Sequence, residues 1–254
     1  MRYVQTLDRL LTVTPHKMSP KMRRLMVVAI ASSLAFGFTS VHALPGPTAC
    51  MFVGVAGLHV LPDGSLTDSP SPDDQERYVR LTLESRERIA NTFGEPKAKP
   101  VLVYFSRPDG FGPFKLNAFG STQFIGPRTC VMIGPAGQSI DVVAHELMHA
   151  EIHERAGFWS RFMKIPTWFD EGLAMQVDFR PKYLLAAEDA HGLDEVRHLT
   201  SFSSFFSGGE QVIISHYAKA RVLVANWVER VGRASVYQQL HQLRDGQSFA
   251  EAIE

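Results

Sequence analysis

The chain has 254 residues, 45 % of them hydrophobic and 20 % charged, which excludes an intrinsically disordered protein and leaves room for one domain or two small ones. Its 26 basic and 26 acidic side chains cancel, so no basic excess points to nucleic acid. Two cysteines exclude a disulfide-dense scaffold or a multi-cysteine zinc module and permit one disulfide.

The first predicted feature is a secretory signal. Lys17, Lys21, Arg23 and Arg24 form a basic cluster, and residues 25–38 follow without a charge. That apolar stretch is short of the roughly 20 residues a membrane span needs. Val41 and Ala43 then place small residues at the −3 and −1 positions of a cut after Ala43. Residues 1–43 therefore read as a signal peptide, with Met18 and Met22 as alternative starts, and the protein as exported, periplasmic or secreted. An uncleaved anchor is the alternative; after cleavage no stable membrane span is expected. The cut removes Arg2, Arg9, Lys17, Lys21, Arg23, Arg24 and Asp8, leaving 20 basic and 25 acidic groups, a net charge of about −5. Export favours oxidation, so Cys50 and Cys130 are expected to pair; two separate buried thiols are the alternative.

In the mature chain, residues 50–60 are apolar and predicted as a strand, and residues 61–72 as a loop. Ser71-Pro72-Asp73-Asp74 is a helix start: a capping serine, proline in the first turn, acids at the positive helix end. That long helix carries Tyr78, Leu81 and Ile89 toward one side and stops near Gly94. Residues 101–105 read as a buried strand, 111–120 as a glycine- and aromatic-rich loop, and 123–125 and 129–133 as two strands about a Gly126-Pro127 turn. From Ser139 the pattern turns helical, with helices over 139–156, 168–179, 213–231, 234–244 and 249–253 separated by Gly157, Pro181, Gly232 and Gly246. The fold class is α+β: a long helix and small mixed sheet over 44–137, packed on a mainly helical part over 138–254, together one domain.

The chemistry concentrates in His145-Glu146-Leu147-Met148-His149. Helical residues four apart lie on one face, so both imidazoles can point at one ion. Glu146 is turned by about 100° from His145 and can reach a water bound to that ion, the arrangement of a zinc hydrolase with glutamate as general base. Val142, Val143 and Ala144 make the approach apolar, and buried polar side chains need partners. Zinc needs a third protein ligand and an open position. A histidine ten residues after His145 is absent, because position 155 is arginine. His153 continues the same helix face, from which three imidazoles do not easily converge on one tetrahedral centre. Glu171, at the start of the next helix, is better placed.

Pro166-Thr167-Trp168-Phe169-Asp170-Glu171-Gly172-Leu173-Ala174, following His145-Glu146-x-x-His149, resembles the gluzincin metallopeptidases, whose small secreted members share a zincin core. The resemblance is strongest over residues 141–174. It implies one zinc per chain held by His145, His149 and Glu171, with Glu146 as base and a peptide or protein as substrate. Two features depart from it. Thermolysin-type enzymes carry an acid four residues after the glutamate ligand, where this chain has Met175. The G-x-M-E-N signature of aminopeptidases is absent, so endopeptidase action is expected.

The resemblance further implies an oxyanion donor from a later helix. Tyr217 is favoured and His216 is the alternative. Asn117 and Ala118 are weaker substrate-binding candidates, and Asp170 a weaker candidate to accept from a ligand imidazole. Two rival readings stand beside this one: a non-enzymatic exported binding or chaperone-like domain on the same fold, and a zinc hydrolase of a non-peptide or cell-wall amide.

Overall fold

The computed structural model describes residues 45–108, 117–184 and 192–253. The signal segment expected over 1–43 and most of the loop expected over 111–120 lie outside the described residues. The described residues are α+β, as expected: a five-stranded mixed sheet followed by a mainly helical half. No helix among them is long and apolar enough to cross a membrane.

The strands are β1 (His59–Val60), β2 (Leu66–Thr67), β3 (Val101–Tyr104), β4 (Gly120–Ile125) and β5 (Arg128–Ile133), in the order β1-β2-β3-β5-β4. β2, β3 and β5 run parallel; β1 and β4 are antiparallel edges. Successive strand residues point to opposite faces. Leu102 and Tyr104 of β3, with Val131 and Ile133 of β5, join the main core, while Val103, Phe105, Cys130 and Met132 form a smaller cluster on the other face. Both faces are covered, which explains strands that are apolar at nearly every position.

The cover of the second face corrects the strand expected over 50–60. Residues Pro45–Phe52 form helix α1, a 3-10 turn follows over Val53–Val55, and only His59–Val60 is strand. A short apolar run reads alike as strand or buried helix. Two prolines in the first turn are compatible with the helix, and Ala49, Cys50 and Val53 turn to the sheet. Cys50 and Cys130 do meet there, but as two buried thiols and not as the expected disulfide. The proximity of the two thiols lowers the pKa of Cys50 and, with burial, pushes that of Cys130 up.

Helix α2 (Pro72–Phe93) starts at the Ser71 cap and packs Tyr78, Ile89 and Phe93 into the main core. Tyr78 stacks on Tyr104 of the sheet with ring centres 4.6 Å apart. Helix α3 (Ile140–Ala156) is capped by Ser139 and stopped by Gly157 at φ +77°, and is buried on almost every side. It lies between α2, the sheet and the later helices. Then follow α4 (Phe158–Met163), α5 (Thr167–Ala174), α6 (Phe202–Phe205), α7 (Glu210–Val231), α8 (Val236–Arg244) and α9 (Phe249–Ala252). The helix expected over 168–179 is shorter: α5 gives way to a 3-10 turn at Met175–Val177. α4 occupies what the sequence presents as a connection.

One glycine fixes how α5 and α7 meet. A Cβ on Gly172 would lie 2.6 Å from the Ala220 carbonyl oxygen, so the two backbones touch where only hydrogen fits. A second close approach is at Gly137, where a Cβ would fall 1.8 Å from the Phe119 carbonyl oxygen. It holds the segment before β4 against the turn that leads into α3.

Candidate metal centre

α3 presents His145 and His149 on one face, and α5 places Glu171 opposite them. All three side chains are buried. The two Nε2 atoms are 3.2 Å apart, and Glu171 Oε2 lies 3.3 Å from that of His145 and 3.5 Å from that of His149. Four-coordinate zinc with bonds of about 2.0–2.1 Å sets its ligand atoms about 3.3–3.4 Å apart. The three separations match that spacing. Glu171 Oε2 is also buried with no hydrogen-bond partner, an orphaned acceptor aimed at the point the imidazoles share. These residues can hold a metal ion.

A carboxylate backs each imidazole. Asp170 Oδ2, of the weaker sequence candidate, lies 3.0 Å from Nδ1 of His149. Asp178 Oδ2 lies 3.5 Å from Nδ1 of His145. Each aspartate in turn meets an arginine, Arg161 for Asp170 and Arg180 for Asp178. Burial opposes charge on both imidazoles, yet the carboxylates prevail. Asp178 and Glu171 raise His145; Asp170 and Glu171 raise His149 well above its ordinary value. Glu171 and Asp178 are correspondingly held far below the usual carboxylate range, against burial: Glu171 by His149 and His145, Asp178 by His145 and Arg180.

Glu146 stands beside the cluster without joining it. Thr122 of β4 shares its one hydroxyl proton between Glu146 Oε2, at 2.7 Å, and the Glu146 carbonyl, at 2.9 Å. Gly120 at the start of β4 leaves room for this side chain, since a Cβ there would sit 3.0 Å from Glu146 Cγ. Tyr217 of α7 faces the same space, its ring 6.1 Å from that of His145. Burial, then the negative charges of Glu171 and Glu146, raise its pKa well above the ordinary value, so it keeps its proton and can donate. His216 points elsewhere: its Nδ1 donates to the Phe205 carbonyl at 2.7 Å, and the residue lines a separate hollow with Val196, Leu199 and Val212.

These groups line one cleft of about 750 Å³, with β4 from Gly120 to Phe124 along one wall. Asn117 lines it, its side chain accepting from Phe119 N at 2.9 Å. Ala118 does not: its carbonyl accepts from Ala136 N at 3.0 Å, so it is used within the fold. His153 also lies apart from the ligand cluster, its Nε2 bonding the Gly126 carbonyl at 3.1 Å. Sequence reasoning missed Asp178, Thr122, Arg161 and Gly120. Position 175 is methionine, and the acid beside His145 is Asp178, brought there by the 3-10 turn at Met175–Val177.

Compared with protein-family profiles, characterised proteins and solved structures, the chain finds no match.

Proposed function

We propose that this chain is a zinc-dependent peptidase of the gluzincin type, exported by its N-terminal segment and acting as an endopeptidase. The observation that carries the reading is the convergence of His145, His149 and Glu171 at tetrahedral spacing, with the Glu146 carboxylate held beside them and not spent on the cluster. A purely structural metal site has no use for such a base. Bound there, zinc would acidify a water toward neutrality and polarise the substrate carbonyl.

The protein's own residues then have defined tasks. Glu146 accepts a proton as water attacks the peptide carbonyl and returns it to the leaving amine. Thr122 fixes which carboxylate oxygen faces the water, by occupying Oε2. Tyr217 donates its hydroxyl to the oxyanion that forms. Asp170 and Asp178 face Nδ1 of the two imidazoles, where a carboxylate favours the tautomer whose Nε2 offers its lone pair.

The test is metal content with turnover. Purified protein is expected to hold about one zinc per chain. Glu171→Ala should lose it, whereas Glu146→Gln should keep it and lose peptidase activity. Wild-type rates in Glu146→Gln would reject Glu146 as base; a folded wild type that takes up no zinc would reject the reading altogether.

A further inference from the structure

The cleft opens onto apolar surface on two sides. On one, Phe162 of α4 lines the wall and meets Phe124 edge-on at 5.8 Å between ring centres. Trp159 and Met163 carry that surface outward. Trp159 is 75 % exposed, Met163 77 % and Phe162 52 %. On the other side Phe202, 71 % exposed, lies against Phe206 at 4.3 Å, and both line the cleft. Large exposed apolar patches are uncommon on proteins that meet only water. Here Phe162 links the two, since it lines the cleft and shares its short helix with Trp159 and Met163.

The charge pattern narrows what can sit there. Apart from the metal centre, Glu146 and the Arg161–Asp170 pair, the described lining residues carry no charge. Arg161 is committed to Asp170, and its guanidinium lies over the Phe124 ring, 5.1 Å from its centre. Among the described lining residues, none is left free to select a charged side chain. Among the described residues β4 is an edge strand paired to β5, so its outer backbone groups can pair with an extended chain.

We infer that the occupant of this cleft is an unfolded polypeptide carrying large apolar side chains, with Trp159, Phe162 and Met163 as its outer docking surface. A folded protein hides both things the cleft asks for, because it buries its apolar side chains and pairs its backbone. An unfolded segment offers them together. The inference rests on the peptidase reading of the cleft and names its substrate class.

The test separates the two. Zinc-loaded Glu146→Gln is titrated with fluorescently labelled α-lactalbumin, either native or reduced and alkylated so that it stays unfolded. The unfolded form is expected to bind at least about tenfold tighter. Adding Trp159→Ser with Met163→Ser should weaken it by about tenfold, as loss of two anchoring side chains does. Trp159→Phe should keep most of the affinity. Both residues are exposed, and unchanged thermal unfolding of the variants verifies the fold. Equal binding of native and unfolded forms, or an unmoved Kd in the double variant, overturns the inference. So does a double variant that changes only self-association or only binding to phospholipid vesicles, since the patch then serves a second copy or a membrane. Cleavage of polar and apolar peptides alike, indifferent to Trp159 and Met163, keeps the peptidase and refutes this substrate class. Patch-dependent binding of the unfolded chain with no cleavage by the zinc-loaded wild type supports the docking surface and refutes the peptidase.

Discussion

Replacing Asp178 with alanine removes the carboxylate 3.5 Å from Nδ1 of His145 and leaves every proposed ligand in place. An imidazole offers Nε2 to a metal only while its ring proton stays on Nδ1, and a carboxylate facing Nδ1 holds that tautomer. Asp178 is fully buried, and Arg180 Nε lies 3.0 Å from both its oxygens, so the pair is fixed before any ion arrives. Asp170 stands closer to its own imidazole, 3.0 Å from Nδ1 of His149. Losing a partner of this kind weakens metal binding by about 10- to 100-fold, or about 1.4–2.8 kcal/mol. The shorter contact places Asp170→Ala toward the upper end and Asp178→Ala toward the lower. Competition against a chelator of known zinc affinity measures both, and urea unfolding of the metal-free variants corrects for lost stability. Undiminished affinity in both variants would refute the argument that these aspartates orient the ligands.

Thr122→Val removes the hydroxyl that holds Glu146; a hydrogen bond to a charged group is worth about 1.5–3 kcal/mol, so kcat should fall about ten- to a hundredfold with zinc content unchanged. Gly172→Ala forces a methyl against the Ala220 carbonyl and Val224, and urea unfolding should show a loss of about 1–3 kcal/mol or more. Glu151, fully buried, accepts from Lys97 N, Ala98 N and Arg155; Glu151→Ala removes the ion-pair partner of buried Arg155 and the acceptor of both N–H groups and should cost about 3–5 kcal/mol by the same measurement. The metal-free protein should also depend on pH in two senses. His145 and His149 titrate above their ordinary value, so their contribution is complete below about pH 6.5 and lost as pH rises through the raised values. Glu171 and Asp178 titrate below theirs, so their contribution is present above about pH 4 and lost only in stronger acid. Urea midpoints without metal should therefore fall between about pH 6 and pH 8 while the gain from added zinc grows; a flat profile would contradict these assignments.

Helices α2, α3 and α7 were legible because each is long, periodic and ended by glycine, and α2 and α3 also carry a serine cap. Their bounds in the structure lie within a few residues of those expected. The elements that were not legible are short. α4, only six residues, has neither a capping side chain nor room for an apolar period, and its aromatic residues read equally well as loop. Residues 50–60, which include the end of α1, read as strand because their apolar residues serve a buried face, and nothing in so short a run reveals whether that face belongs to a strand or a helix. The start of β4 at Gly120 was hidden for a tertiary reason: that glycine is needed by the Glu146 side chain above it, not by the strand.

The candidate site divides along the same line. His145, Glu146 and His149 follow from the period of one helix, and Glu171 and Asp170 from the next. Thr122, Arg161 and Asp178 each come from another element, and only folding brings them in. Together they set a charge balance that no single motif displays. Asp170 and Asp178 are each neutralised by an arginine, Arg161 and Arg180, so the outer pairs contribute no net charge. Inside them stand Glu146 and Glu171, two carboxylates in largely buried surroundings, where unmatched charge is costly. Two protons on His145 and His149 match that charge, and so does one divalent cation on the same Nε2 atoms. Proton binding and metal binding would then be alternatives at a single site, and acid is expected to compete with an added metal ion for it.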